Sequence, residues 1–537
     1  MTSLVKQAAA AALLLSSSVA AQDVTTLTGT IPTSQPTACA TVLTPAYSAP
    51  VAAKGWKAQL IATNLTNPRG IKFDSNGGLL VLEARNGLRH LAFDDNGGTC
   101  LSVRSSTSVI EDEELNHGLE LSEDGRTLYV STAENVDRYS YDADTMTVSN
   151  HARIVANMTN PNPGIAHVTR TLLLSKKEPD LLLVSRGSAE NVDPLAADQS
   201  TGISHIRAFN ISNTTTSSLQ RPYSYPEDGL LVGWGLRNSV GVAEHPVTGT
   251  IWSVENSADD IHRLDEDIHE ENPGEELNYH GLLNDTDSPL SLLGSNYGYP
   301  TCFALRNTTD FPSQGDLTVG AQFSLENDAT ANDTHCGLRT VPPRLTFQAH
   351  TAPLDIEFLP GNGSRAFISF HGSWNREHPA GYKLSYVAFG TDDDDGDDDD
   401  DDDENGTGAG MPVEAPDSVD PIRDVLTAPD VSRCSERGAC FRPVGLAFDA
   451  AAQRLFVSSD ATGEIWVVMR DGEEEEDGGG GNGGGGGTPT ETGGPVESTS
   501  TAAAMPGAGY RGAGGEGWVV VVVTAVMVAV GGLGFVA

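Results

Sequence analysis

Arginine and histidine recur at one kind of position in this sequence. His167 with Arg170, Arg237 with Asn238, His350 and Arg442 each stand just before a short apolar run, and Arg69 stands at the edge of another. Arg186, the pair Glu255-Asn256 and the segment His371-Gly372-Ser373-Trp374-Asn375-Arg376 each stand just after an apolar run. Guanidinium groups match carboxylates with two parallel hydrogen bonds, so a gathering of them selects a small anionic ligand. An imidazole among them can hold or take a proton near neutral pH. Taken singly, such an arginine is usually a surface ion pair, such a histidine structural, and Trp374 core. Only their convergence would make a site. Asp259 and Asp260 could serve a cation, or they could pair with Arg263 or a neighbouring loop.

The elements that would bring them together form a repeat. Pro68-Arg69-Gly70-Ile71-Lys72-Phe73, Pro353-Leu354-Asp355-Ile356-Glu357-Phe358 and Pro443-Val444-Gly445-Leu446-Ala447-Phe448 align without gaps. Each precedes a turn and a second apolar run: Leu79-Leu80-Val81-Leu82, Ala366-Phe367-Ile368-Ser369 and Leu455-Phe456-Val457-Ser458. Looser copies start near 118, 171 and 241. Short apolar runs bounded by Asn-Gly, Asp-Gly and Thr-Gly turns are strand signals, and helical periodicity is nearly absent. Six hairpins in one chain predict an all-β fold, a six-bladed β-propeller over 51–470, in preference to a β-sandwich. A strand at Lys57–Ile61 could close the ring by joining the last blade. In such a ring the residues before each first strand and after each second strand meet at one mouth of the central channel.

Composition limits the partner. The 537 residues hold 32 Lys+Arg against 74 Asp+Glu, a formal charge of −42. That sign argues against nucleic acid and anionic lipid surfaces. Two low-complexity runs, Asp392–Glu404 and Asp471–Asp477, supply 18 of those charges and leave −24 for the rest. The first reads as a disordered acidic loop that repels itself; a homopolymeric run lacks the fixed geometry of a calcium site.

The ends point to export. Residues 1–21 have the layout of a signal peptide: Lys6, a short apolar stretch and a small-residue cleavage site. A Thr/Pro/Ala-rich linker spans 22–50, and a Gly/Glu/Ser/Thr-rich C-terminal stalk spans 471–509. Residues 510–537 read as a GPI-attachment signal, or else as a membrane anchor. Nine Asn-x-Ser/Thr sequons and six cysteines suit a glycosylated protein at the cell surface. Proximity suggests Cys434–Cys440 and Cys302–Cys336, which leaves Cys39–Cys100. No cysteine or histidine spacing suggests zinc.

Over about 55–470 these motifs resemble those of a known family. His167-Val168-Thr169-Arg170-Thr171-Leu172, Arg237-Asn238, Asn296-Tyr297-Gly298-Tyr299-Pro300 and His371-Gly372-Ser373-Trp374-Asn375-Arg376 resemble L-sorbosone dehydrogenase-like quinoproteins. The likeness is to the propeller of fungal pyrroloquinoline quinone (PQQ)-dependent pyranose dehydrogenases. More distantly it reaches soluble aldose and glucose dehydrogenases. The resemblance implies an oxidoreductase that takes hydride from the C1 hydroxyl of an aldose sugar, with PQQ and calcium as cofactors. Electrons would pass to an external acceptor, a cytochrome or a quinone. His167 would be the base, with a pKa near the working pH, and Arg237 would steady charge on the quinone oxygen. Arg69, Arg170, Asn238, His371, Asn375, Arg376 and Arg442 would hold the cofactor, and Trp374 would pack on its plane. Glu255, Asn256 and Asp259 would be the calcium neighbourhood. A calcium-dependent lactonase-type hydrolase would want inward Glu, Asn and Asp around a metal, and the residues gathered here are mostly Arg and His. A propeller that has lost catalysis and binds glycans is the other reading of the same motifs.

Overall fold

The computed structural model describes residue 39 and residues 42–161, 167–212, 221–286, 288–391 and 408–472. The signal peptide, the acidic loop, nearly all of the stalk, the 510–537 segment and the sequons at Asn213 and Asn405 lie outside the described residues. Every strand and helix of the fold lies between Val51 and Arg470.

The fold is a six-bladed β-propeller. Six sheets of four or five strands follow one another along the chain, antiparallel except for a short parallel outer pairing in the second and third. Their inner strands are Pro68–Phe73, Leu115–Leu121, Leu172–Leu174, Ser239–Glu244, Pro353–Phe358 and Pro443–Phe448. These are the six predicted hairpin starts. The ring closes as expected: Trp56–Ala62 pairs antiparallel with Glu464–Arg470, so the N-terminal strand completes the last blade. That pairing joins the two ends of the propeller chain by backbone hydrogen bonds and makes the N-terminal strand the outermost strand of the last blade.

The second strand of each blade explains why the sequence signal was strong there. It lies between neighbouring strands of its own blade and packs against adjacent blades on both faces. Leu79, Leu80, Val81 and Leu82 are fully buried, as are Val130, Leu182, Val184, Ile368 and Val457. A strand covered on both faces reads as a continuous apolar run rather than an alternating one. Each such side chain contributes about 1.5–3 kcal/mol by leaving water.

Two devices hold blade against blade. The inner strands approach so closely that Gly70, Gly118 and Gly445 have no room for a side chain. An added Cβ would meet the backbone carbonyls of His117, Arg170 and Arg69 in the next blade. The second is a serine latch. Gly118 N donates to Ser131 Oγ, which donates to Arg170 O at 2.7 Å in the third blade. Gly445 N donates to Ser458 Oγ, which donates to Arg69 O at 2.7 Å in the first blade. Ser369 Oγ likewise donates to Val444 O at 2.6 Å. These latches fix the backbone at Arg69 and Arg170, two of the residues singled out above.

The long insertion between the fourth blade's outer strands has its own small core around Phe303, Phe311 and Phe323. It contains a short helix, Asp333–Arg339, which the strand-dominated sequence reading did not anticipate. Fully buried Arg263 makes a two-pronged ion pair with Asp333 there, at 2.7 Å for the closest contact, and stacks on Phe311. Arg263 is therefore not the partner of Asp259. Cys302–Cys336 and Cys434–Cys440 are both formed. Cys39 and Cys100 are disulfide-bonded too, and no cysteine among the described residues is free.

Candidate active site

A cavity of about 370 Å³ opens at the mouth where the predicted strand ends meet. All six blades contribute to it. Arg69, Asn116, His167, Arg237, Asn256, Asp259, His350, His371, Trp374 and Arg442 line it, and so do Arg85, Glu275, Arg437 and Asp460.

His167 enters from the segment before the third blade. Its backbone N–H is held by Ser188 O at 3.0 Å and its carbonyl by Asn160 and Arg170. The ring Nδ1 faces Ser188 Oγ at 2.9 Å and Ser188 O at 3.2 Å. Ser188 Oγ spends its own hydrogen on Glu190 O at 2.7 Å. Both partners therefore accept, Nδ1 carries the proton, and Nε2 is left as the basic nitrogen. Burial, reinforced by Arg237, pushes the imidazole down to about 3. The resemblance led us to expect a value near neutrality. The structure instead holds the ring firmly neutral, because burial and a nearby cation both oppose its charged form.

Arg237 follows the third blade's last strand and is nearly fully buried. Nε and Nη2 donate to the backbone and side chain of Asn191, Nη2 also pairs with Asp259 at 3.1 Å, and Nη1 donates to Asn256 O at 3.2 Å. Of the five guanidinium hydrogens, one on Nη1 remains for a ligand. Asp259 Oδ1 meets His350 Nδ1 at 3.2 Å, and His350 Nε2 meets His269 O at 2.6 Å. With an acceptor at each nitrogen, His350 is an imidazolium. Burial opposes its charge, but the bond to Asp259 and the field of Glu275 outweigh it and raise its pKa. Asp259 is correspondingly lowered, with His350 and Arg237 overcoming its burial.

On the opposite wall Asp460 bridges Arg69 Nη1 at 2.9 Å and His371 Nε2 at 2.8 Å. Arg69 Nη2 is buried with no partner. Arg442 stacks on Tyr382, its centre 4.7 Å from the ring, and donates to Cys434 O at 2.9 Å. Trp374 is 64% exposed at the rim, not in the core.

The predicted set is thus partly assembled. Arg69, His167, Arg237, His371, Trp374 and Arg442 reach the cavity. Arg170 and Arg186 do not. Arg170 is fully buried and braces the carbonyls of Met158, His167 and Thr169. Arg186 binds the carbonyls of Thr159 and Thr201. Arg376 turns away to pair with Glu271 at 2.8 Å and to bind Glu270. Asn238 stands behind the wall, its amide on Asn256. Asn375 is buried just outside the lining, with its Nδ2 unpartnered. Sequence reasoning missed Asp460 and Asn116, and also Arg85, Glu275 and Arg437. Asp460 directly follows the last blade's second strand, Arg454–Ser459, so the rule that found Glu255 and His371 would have found it.

The donor chemistry fits a small polycarboxylate. Arg69 offers a buried, unpaired guanidinium nitrogen, Arg442 and Arg237 flank it, and Trp374 supplies an apolar face. Calcium at the predicted place fits poorly. Asp259 spends its two oxygens on two cationic side chains. Glu255 spends its oxygens on Arg237 N at 2.6 Å and Asn278 at 3.3 Å, and Asn256 donates to Pro353 O. Burial, with Glu276 beside it, raises the Glu255 carboxyl far above its usual range. Among the described residues no three His, Cys, Asp or Glu are grouped to hold a metal.

The fold and the site define a class: a six-bladed propeller with a neutral, uncapped histidine beside an arginine-lined mouth. The chain belongs to the TrAA12-like family, whose family model matches residues 50–471. It is 48% identical over 431 residues, 80% of this chain and 91% of the relative, to a pyrroloquinoline quinone-dependent sugar dehydrogenase of Hypocrea jecorina (strain QM6a). It is 35% identical to a pyrroloquinoline quinone-dependent pyranose dehydrogenase of Coprinopsis cinerea, over 78% of this chain and 54% of that longer protein. Among solved structures it resembles the calcium structure of the Trichoderma reesei carbohydrate-active enzyme of family AA12. That match has a TM-score of 0.73 and 48% identity, covering 81% of this chain and 100% of the other. The holo PQQ domain of the Coprinopsis cinerea pyranose dehydrogenase matches with a TM-score of 0.70 and 32% identity, over 80% and 99% of the two chains.

Proposed function

We propose that this protein oxidises the C1 hydroxyl of a pyranose or other aldose sugar with pyrroloquinoline quinone as its cofactor, and that electrons leave to an external acceptor. One observation carries the reading. His167 presents a free basic Nε2 to a cavity fringed by Arg69, Arg237 and Arg442, so a proton acceptor and a polycarboxylate cradle share one space. When bound, the quinone supplies an electrophilic carbonyl that accepts a hydride from the sugar carbon. The chain supplies the rest. Arg69 would pair with a cofactor carboxylate, and Arg442, whose Nη groups face His371, Gly372, Tyr382 and Cys434, would add its positive charge beside it. Trp374 covers a flat face at the rim. His167 Nε2 takes the hydroxyl proton as hydride leaves the same carbon. The remaining Nη1 hydrogen of Arg237 donates to negative charge that develops nearby, from a guanidinium already locked by Asn191 and Asp259. Ser188 keeps the histidine in the tautomer this requires.

Calcium, expected beside Glu255, Asn256 and Asp259, is not built into this reading, because the oxygens of those residues are already engaged. Secretion and cell-surface attachment remain part of the proposal. The paired cysteines support an oxidising compartment.

The test is reconstitution of the full chain with PQQ, followed by cofactor binding from fluorescence quenching and by dye reduction with a panel of aldoses. Saturable binding and sugar-dependent reduction are expected. No binding at micromolar PQQ would overturn the reading. Binding without reduction on any sugar would turn it toward a glycan-binding propeller.

A further inference from the structure

Asp460 is an acid placed inside a cradle for acids. It lines the cavity, and its carboxylate stays ionised: burial opposes the charge, but His371 and Arg69 drive its pKa far below the usual range. In Coulomb terms it should repel a polycarboxylate ligand. Its contacts give it a different task.

Oδ2 accepts from Arg69 Nη1 at 2.9 Å and Oδ1 accepts from His371 Nε2 at 2.8 Å. The chain of bonds continues outward on both sides. Arg69 Nε donates to His117 Nδ1 at 3.1 Å, so His117 must be neutral there. Burial and then Arg69 hold the His117 pKa well below its usual value. On the other side Arg442 Nη1 lies 3.5 Å from His371 Nδ1, and that nitrogen bears a lone pair because Nε2 has the proton. The guanidinium of Arg69 is thus clamped at Nε and Nη1, and the nitrogen left over, Nη2, is the buried one with no protein partner. The latch from Ser458 to Arg69 O fixes the backbone beneath it. Neither histidine can take the place of this carboxylate, since neutral rings do not anchor two donors.

We propose that Asp460 is a positioning residue. Its carboxylate ties Arg69 and His371 into one rigid unit and holds the Arg69 guanidinium at the cavity wall for a carboxylate of the bound cofactor. The inference rests on the PQQ reading of the cavity. The energetic reasoning is preorganisation: a guanidinium already held in place loses less freedom when it binds a ligand.

Two effects of Asp460→Asn have opposite signs, which makes the test decisive. Removing a negative charge beside an anion site should tighten binding if electrostatics alone ruled. Releasing Arg69 and His371 should weaken it. We expect the PQQ dissociation constant of the folded Asp460→Asn protein to rise by about tenfold or more. Arg69→Lys should also weaken binding, and the double variant should be little worse than Arg69→Lys alone, because the two residues act through one contact. Unchanged or tighter binding in Asp460→Asn overturns the proposal, as does full additivity in the double variant. A second readout needs neither the variants nor the cofactor. Nitrogen-15 NMR of the cofactor-free wild-type chain should find His371 neutral with its proton on Nε2, and a proton on Nδ1 alone would overturn the tether even if Asp460→Asn failed to fold. If wild type binds no PQQ while His371 shows the expected tautomer, the functional reading has failed and the tether has not.

Discussion

At the scale of single residues, the site divides into a base, its cation neighbours and their supports. His167→Ala removes the only uncapped imidazole nitrogen identified on this wall but none of the arginine donors. PQQ binding should persist within a few-fold, and turnover should fall by about 10²–10⁴-fold, the usual contribution of a positioned base. Stopped-flow reduction of the bound cofactor by sugar would measure it, and full activity would refute the base assignment. In the cofactor-free protein, NMR should show no titration of His167 between pH 7 and about 4, since the ring is held at about 3. The arginines separate in a way that motif reading could not provide. Arg69→Ala should weaken PQQ by about tenfold or more, as expected for a desolvated charged contact. Arg376→Ala should have a much smaller effect on affinity, because its fork is spent on Glu270 and Glu271. Equal losses in parallel binding titrations would mean that Arg376 swings into the cavity. The types of these residues were legible from their positions at strand ends. Which of these arginines faces the cavity was not, because that depends on the rotamer and on acceptors from distant segments. Arg376 and its glutamates are more than a hundred residues apart in sequence.

At the scale of elements, the repeat does two jobs with one pattern. The second strand of each blade builds the core, and in three blades a serine near its end (Ser131, Ser369 or Ser458) joins its blade to the next. Ser458→Ala should leave Arg69 O and Gly445 N without their shared partner in a water-free place. A loss of about 1–3 kcal/mol per orphaned group is expected, seen as a lower midpoint in urea at unchanged slope. Because Arg69 sits on that latch, PQQ affinity should fall in the same variant. Unchanged stability would show that the latch is replaceable by water. The hairpins themselves were readable because strands buried on both faces print continuous apolar runs. The insertion in the fourth blade was not, because its small core depends on contacts between short segments of no clear period. Its helix has only seven residues, Asp333–Arg339, capped by Asn332.

At the scale of the whole molecule, the buried titratable groups oppose one another. His167, His205 and His280 are pushed down to about 3, chiefly by burial. The unfolded chain therefore binds more protons than the fold between pH 3 and 6.5, and these groups lower stability as pH falls through that window. Glu275, Glu276 and Asp355 are pushed up to about 7, again chiefly by burial. The fold then binds more protons than the unfolded chain from about pH 4 to 7, so these groups lower stability as pH rises through it. Each group contributes a slope of about 1.4 kcal/mol per pH unit inside its window. Three slopes of each sign cancel over the shared range. The thermal midpoint of the cofactor-free protein should change little from about pH 4.5 to 6.5 and fall steeply below about 4.5, where Asp259 and Asp460, both lowered in the fold, act in the same direction as the histidines. A midpoint that rose steadily on acidification to pH 3 would contradict these assignments.

The sequence by itself determined the number of blades, the order in which they follow, the ring closure by the N-terminal strand and the end of the ring where basic side chains gather. These follow from local rules, because strand period, turn residues and two-sided burial act over a few residues each. Tertiary structure decided which of those side chains became available. Asp259 was consumed by Arg237 and His350, Arg170 by carbonyls, and Arg376 by glutamates, whereas Arg69 was clamped with one nitrogen to spare. Such outcomes are settled by hydrogen-bond partners from different blades competing in a low-dielectric space, and that competition exists only once the ring has closed.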